Sequence, residues 1–377
     1  MLHRTARGVA SVPDHAFLVI IALTYVGATL WLGRHLTFYY DECDFFARSL
    51  SNPADYLRPH NEHLVVLPFL MYEVWRLFVG TESYAPYLLL LATTQIFMAT
   101  GVYRLLITRS RSFAIFAFAL LLFLGSGFEN QFWAFQVGFV LATAFGTWAL
   151  VAADRQRPAA AALLLIAAAA SSDIGLAFIP ATAIVIGWRR GLSWLALPLL
   201  AFAAWYVVFG HAAAPVNQMF APEQLILLPG FVVPSIKDAV ADVTGLGVAA
   251  TVVLIVFLLE TGAVAIMRGW RPPVLLVGAL AGLVVHFTVI GLGRAQLPVG
   301  PSRYVTTAAV FALAAAGSVL PVKIPPSARR LAQAGALVFA FVALTSNALA
   351  MQDGAQAQWA MDQTIHRCDI NHAQWPP

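Results

Sequence analysis

The chain has 377 residues, of which 60% are hydrophobic and only 11% are charged, and its net charge is +4. Soluble globular proteins carry charge on about a quarter of their residues, so this composition excludes an ordinary soluble protein. The apolar runs are continuous rather than alternating, which excludes an outer-membrane barrel, and nothing indicates nucleic-acid binding. We therefore expect an all-α, polytopic membrane protein.

Apolar runs along the chain predict the membrane spans, because about 20 apolar residues are needed to cross the hydrocarbon core. Eleven candidate runs lie near residues 16–34, 84–107, 113–127, 132–152, 159–172, 174–188, 192–209, 246–267, 274–293, 303–320 and 331–350. A basic flank precedes the first run, and no small-residue cleavage site follows it, so we interpret this run as a retained first helix. The expected fold is a transmembrane helical bundle of about 11 spans.

A twelfth apolar stretch, Leu64–Gly80, decides the topology. If it lies in the outer interface, 14 of the 22 basic residues fall in cytoplasmic loops or span ends, and 15 of the 18 acidic residues face outward. If it crosses, four basic pairs move outside, against the positive-inside rule. The stretch also contains Pro68, Glu73 and Arg76, which suit an interfacial helix. We therefore expect a cytoplasmic N-terminus and a juxtamembrane helix within an outer loop, residues 34–83.

The expected organisation is one transmembrane unit, residues 1–350, followed by a short outward-facing tail, residues 351–377. The two cysteines, Cys43 and Cys368, both face outward on this topology, in a compartment that permits disulfides. They either pair, which would fold the tail back over the first outer loop, or remain two thiols. Their spacing in the sequence leaves both alternatives open.

Three carboxylates, Asp41, Glu42 and Asp44, follow the first span within four residues. Such crowding raises the pKa of at least one carboxyl unless a cation or hydrogen-bond donors compensate, so the cluster suits a general base or a metal site. An acidic first turn of a solvated helix explains the same residues.

The segment Arg58–His63 precedes the expected interfacial helix. Asn61 suits a helix cap, and Glu62 suits the first turn. His60 and His63 need another explanation, and in a first helical turn they would share a face. With Glu62 they could bind a metal, although the sequence does not require one, and a substrate phosphate or sugar is the expected ligand.

A polar triplet, Glu129, Asn130 and Gln131, lies between aromatic residues at the expected outer end of the bundle. Amide and carboxylate groups can hold sugar hydroxyls while a ring stacks on the sugar face. An interfacial aromatic belt accounts for the rings alone. Asp173 separates two apolar runs at membrane depth, where a charge is tolerated only if it lines protein or a water-filled cavity.

A second group of binding candidates lies nearer the C-terminus. It comprises His286, Arg294, Arg303 and Tyr304. Two outward arginines next to a buried histidine form an anion site in a chain whose basic residues are mostly cytoplasmic, because a guanidinium makes two-point contacts with phosphate. Snorkelling to lipid headgroups is the alternative.

Taken together, these features resemble the GT-C superfamily of integral-membrane glycosyltransferases. The resemblance rests on an N-terminal span, an Asp-Glu pair just outside it, a His-containing motif opening an interfacial helix, and about ten further spans. The strings RPHNEHLVVLP, FENQFWAFQ, SSDIGL and PSRY resemble bacterial membrane proteins of the same design. A departure is the short tail in place of the large C-terminal soluble domain that many such enzymes carry.

The resemblance implies transfer of a sugar from a polyprenyl-phosphate donor to a glycan, lipid or protein acceptor. The reaction would take place on the periplasmic or extracellular face of the cell membrane. By position, the family's catalytic acid falls on Asp41, with Glu42 and Asp44 as neighbours. His60, Glu62 and His63 correspond to the polar start of the second juxtamembrane helix.

Two other functions stay open at this stage. A transporter or flippase for a lipid-linked or anionic solute should show inverted repeats and broken helices around polar residues at the membrane midplane. Here the polar residues cluster at one membrane face, which favours an enzyme. A noncatalytic assembly subunit of a polysaccharide system is the third possibility.

Overall fold

The computed structural model describes residues 14–48, 52–61, 63–213, 220–247, 269–296, 302–319, 326–364, residue 368 and isolated helical positions between 251 and 267. The α-helices are α1 (Asp14–Leu32), α2 (Asp41–Ala47), α3 (Val66–Val79), α4 (Ala85–Leu106), α5 (Arg111–Leu122), α6 (Glu129–Phe132), α7 (Val137–Asp154), α8 (Pro158–Ala169), α9 (Phe178–Ile186), α10 (Trp188–Val208), α11 (Pro222–Thr244), α12 (Val274–Arg294), α13 (Val305–Val319) and α14 (Pro326–Thr364). Short 3-10 helices occupy Pro53–Leu57, Gly125–Gly127, Ala134–Gln136, Asp173–Ala177, Gly210–Ala212 and Ser302–Tyr304.

The expected all-α class is confirmed for the described residues, whose regular elements are all helices, and an isolated β-bridge joins His60 to His63. Five helices there are long and apolar enough to cross a membrane. They are His15–Leu32, Ala85–Leu106, Ala134–Asp154, Val274–Arg294 and Gln333–Thr364. About 11 spans are therefore not confirmed, and most of the expected span 246–267 lies outside the described residues.

Local breaks explain why several apolar runs do not form full spans. α8 has 12 residues and α9 has nine, because the polar segment from Ser171 to Asp173 interrupts the helix between them. At 1.5 Å per residue, α8 is about 18 Å long, while a hydrocarbon core is about 30 Å thick. Composition alone does not show where a helix ends within an apolar run, so such a run is predicted to be long enough to cross the membrane.

α7 is the central helix of the bundle. Most residues of the span that contains it, Ala134–Asp154, are buried, and α7 packs against α4, α8 and α9. By contrast, few residues of the α1 and α14 spans are buried, so these helices present apolar side chains on the outside of the bundle. An apolar exterior of this kind suits hydrocarbon rather than water.

The stretch Leu64–Gly80 forms the 14-residue α3, which is not among the five candidate spans. At about 21 Å, the helix is short for a crossing. It ends at Gly80, whose φ of +63° is easily adopted only by glycine. α3 packs against α7 and the turn Pro53–Leu57, consistent with a helix that lies along the end of the bundle.

Two helices differ from the sequence prediction. Residues 210–245, which lie between two of the predicted spans, contain α11, a 23-residue helix that packs against α12 and α13. α14 runs without a break through residue 351, so the expected tail begins inside a helix. The apolar pattern fades there, but the helix continues because its last turns bury Gln358 and Asp362 against the loop after α1.

The two ends of the bundle carry different groups. At the start of α4, the Tyr84 hydroxyl donates to Glu42 at 2.9 Å. Beyond its other end, about 33 Å away, Arg109 pairs with Asp154 at 2.6 Å. Groups expected on opposite sides of the membrane therefore lie at opposite ends of the molecule.

Gly125 allows α14 to lie directly against the turn Gly125–Gly127, because a Cβ at this position would overlap the backbone of Met351. Gly125→Ala should lower the free energy of unfolding by about 1–3 kcal/mol, the usual cost of overpacking. Gly27→Ala is the matched control, since no atom lies within 4 Å of the added methyl group. Thermal unfolding in detergent measures both variants, and equal melting temperatures would contradict this packing.

Candidate functional site

The first side of the site is α2, which begins directly after Tyr40. Tyr40 has a φ of +55°, a conformation that a tyrosine seldom adopts, and its ring is exposed. Asp41 and Asp44 are three residues apart and share one face of α2. Asp41 is 8% exposed and Asp44 is open to solvent, while Glu42 is fully buried. The three acids therefore have different environments.

The histidines lie in a tight turn rather than in a helix. The backbone N–H of each donates to the carbonyl oxygen of the other, at 3.1 and 3.0 Å, and Asn61 between them has a φ of +53°. α3 begins only at Val66 and has no side-chain cap. The expected first-turn placement of His60 and His63, with Asn61 as the cap, is therefore wrong. Glu62 lies outside the described residues.

The turn presents its two histidines to two different aspartates. His60 Nε2 lies 3.4 Å from Asp41 Oδ1, and the His60 ring packs edge-on against Phe45. His63 Nδ1 lies 2.7 Å from Asp173 Oδ1, and Ser172 Oγ donates to the same carboxylate oxygen at 3.1 Å. The structure thus brings together four residues that the sequence singled out separately.

Asp41, Asp44 and His60 could hold a divalent cation. Each residue offers one ligand atom, and these atoms lie within 4.8 Å of one another. Two carboxylates and an imidazole suit a transition metal such as manganese or zinc. The same three side chains line or adjoin an open depression of about 300 Å³, which Ala47, Arg48, Arg58 and Pro59 complete.

Glu42 lies beneath this surface and is enclosed by hydrogen-bond donors. Its carboxylate accepts from the hydroxyls of Tyr72 and Tyr84, at 3.0 and 2.9 Å, and from the backbone N–H groups of Tyr39 and Phe135, both at 3.1 Å. These partners tie α2 to α3, α4 and the segment before α7. In place of the catalytic role expected from the sequence, this burial gives Glu42 a positioning role.

The stability of the protein should depend on the protonation of Glu42. Burial outweighs the four hydrogen bonds and raises its pKa from 4.5 to about 8. The folded state therefore binds a proton that the unfolded state releases near pH 4.5. This stabilisation is complete below pH 4.5, declines as the pH rises, and is lost by about pH 8. Its loss lowers the free energy of unfolding by an amount on the order of several kcal/mol.

Unfolding of the wild type in detergent, followed between pH 5 and 9, measures this effect. Glu42→Gln is the matched control, because its side chain has the same shape and cannot titrate, so its stability should vary less with pH. An unchanged slope in Glu42→Gln would assign the dependence to another group.

The polar triplet connects two parts of the bundle. The Glu129 carboxylate accepts from Ser302 Oγ at 2.9 Å and from the backbone N–H of Arg303 at 3.0 Å. The Asn130 amide donates to the Arg303 carbonyl at 2.7 Å and to Thr306 Oγ1 at 2.9 Å.

Gln131 accepts from the Tyr25 hydroxyl. All three triplet side chains are buried rather than presented to a sugar: Glu129 and Asn130 hold the turn Ser302–Tyr304, and Gln131 bonds to α1.

Arg303 is the basic residue of this network. Its guanidinium lies 5.8 Å from the Tyr304 ring centre, and its Nε is 4.0 Å from Glu129. That Nε is buried and has no hydrogen-bond partner in the part of the chain that the structure describes. The charges of Arg294, Arg303 and Asp173 all act on the Tyr304 hydroxyl, which brings these predicted residues into one region.

His286 supports the turn from α12. Its Nε2 lies 3.1 Å from the Tyr304 carbonyl oxygen, and the side chain is almost fully buried. The Phe139 ring then connects this region to the histidine turn, since it contacts both Tyr304 and His63. His286 is therefore a support for the binding region rather than part of its surface.

The last turns of α14 and Cys368 contact the segment that precedes and carries Asp41. Cys43 and Cys368 form a disulfide, with their Cα atoms 5.1 Å apart, which resolves the alternative that the sequence leaves open. Thr37 donates to Asp362 at 2.7 Å, and Gln358 bonds to the Tyr39 hydroxyl. The last turns of α14 are therefore hydrogen-bonded to the loop before Asp41, and Cys368 is joined covalently to α2.

Sequence reasoning missed several residues that shape the site, above all Tyr72, Tyr84, Arg48 and Phe135. None carries a local signal, because their partners lie far away in the chain: Tyr84 is 42 residues from Glu42, and Phe135 is 93 residues from it. The assembled site offers a paired carboxylate and imidazole, a possible cation site and a separate arginine region. No family model, no curated protein and no solved structure is significantly similar to this chain.

Proposed function

We propose that this protein is an integral-membrane glycosyltransferase of the GT-C type that uses a polyprenyl-phosphate sugar donor. The observation that carries the proposal is the Asp41–His60 pair, which borders an open depression at the same end of the bundle as Arg294 and Arg303. A base and an anion-binding region on one site are what sugar transfer from a phosphate requires.

In the proposed reaction, Asp41 takes the proton from an acceptor hydroxyl. The acceptor oxygen forms a bond to the anomeric carbon while the bond from that carbon to the phosphate oxygen breaks. The electron pair of the broken bond leaves with the polyprenyl phosphate, whose negative charge Arg303 and Arg294 stabilise. His60 orients the Asp41 carboxylate, and a cation held by Asp41, Asp44 and His60 would add positive charge near the reacting centre.

A carrier or flippase is the second candidate, and one observation favours it. Gln136 is fully buried at the start of α7, and neither of its amide atoms has a hydrogen-bond partner within the described part of the chain. Deeper in the bundle, the hydroxyls of Thr143 and Thr307 bond to each other at 2.6 Å. Polar groups at this depth are compatible with passage of a polar solute.

Assays of sugar transfer and of donor movement distinguish the transferase, the carrier and a noncatalytic subunit. Purified protein in detergent receives a radiolabelled polyprenyl-phosphate sugar and a mixture of candidate glycan, lipid and peptide acceptors. Labelled product in detergent supports the transferase, because a carrier changes no covalent bond. Movement of unreacted donor between the leaflets of proteoliposomes supports the carrier. Binding with neither activity supports a noncatalytic assembly subunit.

The proposal also assigns the site to the outer face of the cell membrane, with the N-terminus in the cytoplasm. In a Cys43→Ser, Cys368→Ser background, we expect both Asn61→Cys and Thr81→Cys to react with a membrane-impermeant thiol reagent added from outside. Arg109→Cys, from the opposite end of the bundle, is the control and should react only after permeabilisation. Labelling of Thr81→Cys only after permeabilisation would mean that α3 crosses the membrane.

A further inference from the structure

The open depression beside Asp44 and His60 has a second, cationic side. Arg48 and Arg58 line it together with Asp44 and His60. Arg48 is fixed in place: its Nη2 donates to the Arg58 carbonyl at 2.5 Å, and its guanidinium lies 5.1 Å from the Phe69 ring centre. The depression therefore has a basic end, formed by Arg48 and Arg58, and the carboxylate of Asp44 also lies in its lining.

The basic end carries incompletely compensated positive charge. Arg58 pairs with the buried Asp55 at 2.8 Å, yet its own side chain is largely exposed. Nη1 of Arg48 is buried and has no hydrogen-bond partner among the residues described. Burial, and after it the charge of Arg58, lower the pKa of Arg48, so the two guanidiniums repel each other. An oxyanion between them would relieve that repulsion and bond to Nη1.

The depression lies on a different side of the histidine turn from the proposed phosphate region. Arg48 and Arg58 adjoin His60, whereas Arg303 is connected to His63 through Tyr304 and Phe139. In a displacement at carbon, the incoming oxygen and the leaving phosphate lie on opposite sides of the anomeric centre. If the phosphate occupies the Arg303 side, the depression is the acceptor side.

We infer, resting on the proposed function, that Arg48 and Arg58 bind a carboxylate or phosphate on the acceptor, so that the enzyme glycosylates an acidic, hydroxyl-bearing molecule. The acidic group occupies the arginine end, and a neighbouring hydroxyl points to Asp41. Arg48 and Arg58 thereby determine specificity and do not take part in bond breaking.

Direct binding to the full-length protein in detergent tests this inference. The probes are galacturonic acid, galactose 6-phosphate and the neutral parent galactose, titrated by calorimetry or followed by ligand-observed NMR. We expect at least one acidic sugar to bind about tenfold or more tightly than galactose, the scale of a charge-assisted contact. The two acidic probes distinguish a carboxylate from a phosphate ligand.

Variants assign the preference to the arginines. An Arg48→Gln, Arg58→Gln double variant should bind the acidic sugar as weakly as galactose. The single variant Arg48→Lys, which keeps the charge, should retain part of the preference for the acidic sugar over galactose. Arg34→Gln, an exposed arginine at the end of α1, should change nothing. Circular dichroism and gel filtration exclude misfolding as the cause.

Three outcomes overturn the inference: equal binding of acidic and neutral sugars, an unchanged preference in the double variant, or loss of polyprenyl-phosphate binding in that variant. The last would make the depression part of the donor site. Failure of the proposed function has a different signature. Selective binding of an acidic sugar without any sugar transfer would support the anion site and reject the transferase. Sugar transfer without a preference for acidic sugars would support the transferase and reject the anion site.

Discussion

Asp41→Asn should lower the rate of sugar transfer by about 10²-fold or more while leaving folding and donor binding intact. Asparagine has nearly the same shape but cannot accept the acceptor's proton, and general-base catalysis contributes about 10²–10⁴-fold. The turn from His60 to His63 should stay in place, because its own two backbone hydrogen bonds hold it. Turnover of the radiolabelled donor measures the loss, and donor affinity is measured separately.

Two further variants sharpen this prediction. Asp353→Asn removes an exposed carboxylate on α14, far along the chain from the cluster, and should leave the rate unchanged. Asp44→Asn should lower the rate of sugar transfer less than Asp41→Asn does. If a bound cation links the two acids, the loss in Asp44→Asn should be larger, and added Mn²⁺ should partly restore the rate of that variant. Full activity in Asp41→Asn would transfer the role of base to Asp44.

Arg303→Lys should weaken binding of polyprenyl phosphate about tenfold, and Arg303→Gln about 10²-fold. Lysine keeps the charge but loses the planar two-point contact, and glutamine loses both, at the usual scale of charge-assisted hydrogen bonds. Glu129 should still hold residue 303, because it accepts from the backbone N–H rather than from the side chain. Fluorescence titration with a labelled polyprenyl phosphate gives the affinities.

Arg104→Lys is the control, because this exposed arginine lies near the opposite end of α4. Unchanged affinity in both Arg303 variants would favour headgroup snorkelling for this residue. A loss of thermal stability as large as the loss of binding would instead make Arg303 a structural partner of Glu129.

The sequence by itself determined the class of this protein. Composition and continuous apolar runs are enough to predict an all-helical chain with membrane-crossing helices, since these properties depend on local hydrophobicity and length. It also identified Asp41, His60, His63, Asp173 and Arg303 as candidates, because polar residues that interrupt apolar runs are conspicuous against that background. The prediction that Leu64–Gly80 does not cross the membrane comes from the same kind of reasoning, and α3, with 14 residues, is short for a crossing.

Only the tertiary structure decided which of these residues meet and how. Asp41 pairs with His60 but His63 pairs with Asp173, more than 100 residues away, and Glu42 is buried under two tyrosines. Helix ends inside apolar runs, such as the break between α8 and α9, depend on tertiary partners for the exposed backbone groups. The disulfide from Cys43 to Cys368 depends on a distance of 5.1 Å between Cα atoms that lie 325 residues apart. Such contacts arise when helices pack, and hydropathy, which measures each segment separately, carries no information about them.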